Sequence, residues 1–268
     1  MKTAFALIIA SLAIASNPTH AEERDYSLVD LTHTYDDNTL YWPTSPTKFQ
    51  LTEISHGQTE AGWFYSAYSF CTPEHGGTHL DAPVHFSAKG ASVDALPLER
   101  LVAPGIVIDV RALAASNRDY LLSRADVMTF EAAHGQIEEG TIVLLRTGWS
   151  RYWPDAKAYL GDDTPGDATK LSFPSYGEAA ARFLVEQRKV AVLGVDTASI
   201  DSGNSRDFAV HRIAAASNVA GLENLTGLDQ LPVRGFRVIA LPMKIRGGSG
   251  GPARVIALLE HAGEPTGP

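Results

Sequence analysis

Apolar positions along this chain fall into short runs, not long stripes. Gly105–Val110 (GIVIDV), Thr141–Leu145 (TIVLL), Val190–Val195 (VAVLGV), Phe236–Leu241 and Ala253–Leu259 are continuous apolar runs of strand length. Such runs suit strands buried on both faces. Three earlier stretches, Ser27–Leu31, Phe49–Glu53 and Trp63–Cys71, are rich in aromatic or aliphatic residues and also read as strands. Helical spacing occurs between some of them. Ser123–His134 opens with a capping-box-like Ser123-Arg-Ala-Asp126 and stops at Gly135. Ser175–Gln187 places Ala179, Phe183 and Leu184 on one helical face, and His211–Asn218 is a candidate third helix. Asp162–Asp167 and the Gly-rich Gly247–Pro252 read as loops, the latter without phosphate-loop spacing. The pattern predicts an α/β fold with a mixed sheet in a single domain.

The amino terminus has a separate character. Lys2 precedes the uncharged apolar run Ala4–Ala15, which Asn17 and Pro18 break before Ala21. This is the layout of a cleaved signal peptide over residues 1–21, with the mature domain over 22–268. The run is too short for a membrane span, which needs about twenty apolar residues. The protein is therefore expected to be exported, periplasmic or secreted, with no membrane span.

Composition adds exclusions. The chain of 268 residues carries 22 basic and 31 acidic residues, net −9, which argues against a nucleic-acid partner. Its single cysteine, Cys71, rules out an internal disulfide and is expected to be a small buried hydrophobe.

The chemistry concentrates in His75-Gly-Gly-Thr-His79-Leu-Asp81-Ala-Pro-Val-His85. Imidazole and carboxylate are the usual ligands of a catalytic zinc or manganese ion. Gly76-Gly77 and Pro83 disfavour a helix. On a straight strand His75 and His79 would stand about 13 Å apart, too far to share one ion at about 2 Å from each. A loop bent at Gly76-Gly77 brings His75, His79 and Asp81 around one ion, with His85 further along the same face. A helical zinc-protease motif is excluded, because Gly76 occupies its glutamate position. His33, His56, His134 and His261 have no ligand-type neighbours and are expected to be solvated. The aromatics Trp63, Phe64, Tyr65, Tyr68 and Phe70 are either a pocket wall or core packing.

The run HGGTHLDAPVH resembles the signature of the metal-dependent cyclase family, which includes kynurenine formamidase and isatin hydrolase. The stretches Tyr41-Trp42-Pro43, Gly194–Asp201, HRIAAASNVAGLENL and Pro252–Leu259 resemble further family blocks. The resemblance implies a swivelling β/β/α fold with a mixed barrel-like sheet, usually a homodimer. It implies His75, His79 and Asp81 as ligands of a first ion, Asp81 bridging to a second ion, and His211 and Glu223 completing the set. It also implies His85 as general acid/base and Trp42 as a residue lining the site of a small, aromatic substrate. Glu223 lies in an apolar stretch, where a metal ion would supply the partner a buried carboxylate needs. The sequon at Asn224, beside Glu223, is expected to be unused. Extra residues between His85 and His211, including Trp149–Asp163, are candidates for reshaping the pocket.

The expected activity is hydrolysis of a small amide, formamide or cyclic amide/lactone, arylformamidase-like, with one or two Zn2+ or Mn2+ ions per chain. The alternatives are isatin hydrolase-like lactam opening with a single manganese, and a non-catalytic exported metal- or ligand-binding protein. His85 separates enzyme from binder, since a binder needs no histidine beyond its ligands.

Overall fold

The computed structural model describes residues 26–260. The expected signal peptide and His261 lie outside the described residues. The long run of strand, Gly250–Glu260 (β12), holds the architecture together. One edge of β12 pairs with β1 (Tyr26–Asp30) and, nearer its start, with β4 (His79–Asp81); the other pairs with β11 (Phe236–Pro242). From β11 the sheet continues through β5 (Val102–Asp109), β7 (Ile142–Arg146), β9 (Val192–Val195) and β10 (Ala220–Glu223), and β10 returns to β4. Seven strands therefore close into a barrel, with β1 attached outside the ring. The run β5, β7, β9, β10 is parallel and the remaining pairings are antiparallel.

Closure follows from the apolar runs. In β7, Ile142 and Leu144 join one buried cluster while Val143 and Leu145 join another, and Val107 and Ile108 of β5 divide the same way. Alternate side chains thus fill the barrel on one face and meet helices on the other. The helical layer comprises α1 (Leu98–Leu101), α2 (Arg111–Ser116), α3 (Arg124–His134), α4 (Ala156–Leu160), α5 (Glu178–Arg182) and α6 (Ala209–Ala216). Ser123 caps α3 in a reciprocal capping box with Asp126, and Gly135 ends it, as the sequence predicts.

Several expectations need correction. The predicted helix from Ser175 starts later, because Ser175–Tyr176 (β8) pairs with Leu121–Leu122 (β6), and the helix finishes as a π turn over Phe183–Gln187. Gly250–Pro252 is strand, not loop. There Gly250 lies against His75, and a Cβ would sit 2.7 Å from the His75 ring. The aromatic stretch Phe64–Cys71 (β3) forms a hairpin with Gln50–Gln58 (β2). Trp63, Phe64, Tyr65, Tyr68 and Phe70 are 42–56% exposed there, so they are neither pocket wall nor core. Cys71 is exposed, not buried. His33 is not solvated: it is half-buried and stacks on Trp153 at 4.2 Å, and burial pushes its imidazole down to about 4. His56 and His134 are exposed as expected. No helix among the described residues is long and apolar enough to cross a membrane.

Candidate metal centre

The bend predicted at Gly76-Gly77 is present, and it feeds a strand of three residues instead of a loop. Gly77 sits at φ +57, a left-handed conformation that glycine adopts without cost, and a Cβ there would collide with the Tyr35 ring. In β4, His79 and Asp81 point to one side while Leu80 enters the core. Glu223 lies directly across from His79 in the β10 register. Gly221 and Gly250 flank Asp81 on its two neighbouring strands, leaving its carboxylate uncrowded.

Five of the residues singled out in the sequence converge. Asp81 Oδ1 lies 2.6 Å from His75 Nδ1 and 3.2 Å from His79 Nε2. Its other oxygen, Oδ2, lies 3.0 Å from His211 Nε2, which is 3.2 Å from Glu223 Oε1. Two groups of potential metal ligands result, His75–His79–Asp81 and Asp81–His211–Glu223, and they share Asp81. All but His75 are buried. Each imidazole is held by a bond on its far side. His79 Nδ1 faces the Gly77 carbonyl at 2.9 Å, and His211 Nδ1 faces Asp201 Oδ2 at 2.7 Å. Donation through those nitrogens leaves the inner nitrogens free to bind a cation. His75 Nε2 lies 2.8 Å from Ser249 Oγ, which hydrogen-bonds to Glu74.

Three residues here were given no role from the sequence. Asp201 accepts from the backbone N–H groups of Val210 and His211, so it caps α6 while orienting His211. Its signal was a capping aspartate ten residues before a histidine. Ser249 was hidden in a Gly-rich run that read as an ordinary loop, and Glu74 gave no signal at all.

The remaining candidates surround the cluster. A proline-started 3₁₀ turn, Pro83–His85, returns His85 over His75, ring on ring at 3.8 Å. Trp42, His85, Phe86 and Phe208 line a cavity of about 440 Å³ together with the five potential ligand residues. The segment Trp149–Asp163 reaches this cavity through Leu160.

The electrostatics fit a cation. Burial raises the Asp81 carboxyl, but His79 and the hydrogen bonds from His211, His75 and His79 outweigh it and hold it well below the usual range. Burial lowers the His79 imidazole, yet Asp81 and Glu223 push it up to about 9. His211 is likewise raised despite burial, by Asp201, Asp81 and Glu223. Buried carboxylates that draw protons onto imidazoles will accept a divalent ion instead. This fixes a sign. A histidine raised from 6.5 to about 9 stabilises the metal-free fold fully below 6.5, and that contribution is lost as pH rises through about 9. The metal-free melting temperature should therefore fall from pH 6.5 to 9, while the increment from added Zn2+ or Mn2+ grows. Differential scanning fluorimetry on both forms checks this; an increment that shrinks with pH contradicts it.

The family described as Cyclase, putative cyclase, matches residues 29–202. The chain belongs to the cyclase family. It is 33% identical over 223 residues to isatin hydrolase of Roseibium aggregatum, covering 80% of this chain and 82% of that one. It is 28% identical over 252 residues to kynurenine formamidase of Salinibacter ruber, covering 89% and 100%. Among solved structures, isatin hydrolase A from Ralstonia solanacearum superposes with a TM-score of 0.78 at 36% identity, over 88% of this chain and 93% of that one. The mixed barrel of this cyclase-family member is thus shared with a solved relative, and the family match ends at residue 202, just after Asp201 and short of His211 and Glu223.

Proposed function

We propose that this protein is a metal-dependent hydrolase that adds water across the C–N bond of a small, neutral aromatic amide or lactam. The observation that carries this is the cluster of three imidazoles and two carboxylates lining an apolar cavity. A divalent ion held there supplies Lewis acidity that polarises a carbonyl and makes water acidic. His75, His79 and Asp81 would hold one ion, and Asp81, His211 and Glu223 a second. The two oxygens of Asp81 face opposite ligand pairs, which supports a bridging role. Both zinc and manganese accept this donor set. His85, stacked on His75, would take a proton from the attacking water as its hydroxyl joins the acyl carbon, and pass that proton to the nitrogen as the C–N bond breaks. Trp42 forms part of the wall against an aromatic ring.

Substrate charge orders the two activities. No lysine or arginine is among the described residues lining the cavity, so away from the metal ligands a substrate carboxylate would find no cationic side chain there. This favours an isatin-like lactam over an amino-acid formanilide, reversing the order expected from sequence. The higher identity to isatin hydrolases points the same way. The purified mature protein should contain about two ions per chain by mass spectrometry, lost in His79→Ala, and should open isatin faster than it deformylates an N-formyl amino-acid anilide. No metal after incubation with zinc or manganese would overturn the proposal, and the opposite substrate order would overturn its finer part. A single manganese would remove the second site.

We further propose export, supported by the apolar run Ala4–Ala15, and a homodimer. The exposed aromatics of the β2–β3 hairpin support the second copy, since a monomer rarely leaves such a surface in water. Sedimentation should give twice the chain mass; a monomer at micromolar concentration contradicts it.

A further inference from the structure

Asn224, next to Glu223, is buried and its four hydrogen-bonding groups are all engaged. Its backbone N–H donates to the Thr197 carbonyl at 2.8 Å, and its own carbonyl accepts from Thr78 Oγ1 at 2.6 Å. Its side-chain Nδ2 donates to the Gly77 carbonyl at 2.8 Å, and its Oδ1 accepts from Tyr159 Oη at 3.0 Å. The backbone there is left-handed, φ +55, which asparagine tolerates better than most residues. In the folded chain the amide nitrogen of the sequon is thus engaged inside the protein.

The Gly77 carbonyl is the acceptor that also holds His79 Nδ1. One carbonyl oxygen therefore receives Asn224 Nδ2 and His79 Nδ1 together. Asn224 fixes the direction of that carbonyl, and the carbonyl fixes which His79 nitrogen carries the proton. Tyr159 in turn fixes the asparagine amide. Its hydroxyl lies 3.0 Å from Oδ1 and 3.2 Å from the Asp196 carbonyl, so a flipped amide would set its oxygen against the Gly77 oxygen and lose the bond from the tyrosine hydroxyl. Tyr159 is fully buried and comes from α4, within the segment Trp149–Asp163. Its backbone carbonyl is bonded by Trp149 Nε1.

We propose that Tyr159 and Asn224 are positioning residues for the metal centre, holding the His79 ring and tautomer through the Gly77 carbonyl. The segment Trp149–Asp163 then serves the metal ligands as well as the cavity wall. This rests on the metal-centre reading above, and the experiment separates the two. Tyr159→Phe removes one hydroxyl at constant ring volume. Zn2+ affinity is measured by competition with a chromophoric chelator, and ligand geometry by the visible bands of the Co2+ form. Tyr159→Phe and Asn224→Ser should each bind Zn2+ about 10-fold more weakly or worse and should shift the Co2+ bands. Leu171→Val, in the same buried cluster as Tyr159 but bonded to neither residue, should lower the melting temperature and leave affinity and bands unchanged. Wild-type affinity and bands in Tyr159→Phe, or the same changes in Leu171→Val, would overturn the inference. Failure of the wild-type protein to bind Zn2+ or Co2+ at all would instead overturn the metal-centre reading.

Discussion

A His85→Ala protein should keep its metal and lose turnover by about 10²–10⁴-fold, the usual contribution of a positioned acid/base. His85 lies against the ligand set without belonging to it: its ring stacks on His75 at 3.8 Å and stands 6.2 Å from the His211 ring. Burial pushes its imidazole down to about 4, opposed by Asp81. A cation beside it would push the same way. The ring is therefore neutral at physiological pH and ready to take a proton from water, then pass it to the departing nitrogen. Alanine removes that function without touching a carboxylate or an inner imidazole nitrogen. Steady-state rates read beside metal content give the answer. Full activity in the variant would end the acid/base assignment. Loss of metal would show that His85 acts by supporting His75, not by moving a proton.

Asp81→Asn should empty the site. Asparagine keeps the shape, but it removes one charge and one of the two oxygens that face the opposing ligand pairs. Neither group of ligands is complete without that carboxylate. His79 and His211 also lose a partner that raises them, so the imidazoles become less readily protonated while the ion loses its shared anchor. The expected result is metal content near zero and a melting temperature that no longer responds to Zn2+ or Mn2+. Folding should persist, because Leu80 keeps its place in the barrel core and the strand bonds on either side involve backbone alone. Unchanged metal occupancy would sink the bridging role.

What could be read in advance follows a physical division. Strands β7 and β9 were legible because burial on both faces leaves an apolar run, β5, β11 and β12 were legible from their mostly apolar sequence, and α3 was legible from its caps. The metal segment was legible because Gly-Gly and Pro exclude a helix while ligand-type residues crowd one stretch. Strands β4 and β10 were not recognised as strands. They span three and four residues, are held by neighbours distant in sequence, and carry polar side chains where a strand pattern expects apolar ones. The hairpin aromatics were misplaced because hydrophobicity alone cannot distinguish a core face from a face turned outward. Cys71 failed on the same ground, at the end of that hairpin. Ser249 and Tyr159 lay beyond reach, since each acts on a ligand segment far away in the chain.

The closure of the barrel through β4 also sets a timetable. His79 and Asp81 are gripped between residues 221–223 and 250–252, so the ligand cluster cannot exist until nearly all the chain is available to fold. A nascent chain has no site to load. An ion taken up by this cluster is taken up where the finished chain folds, so the metal supply of that compartment weighs on which ion the protein carries.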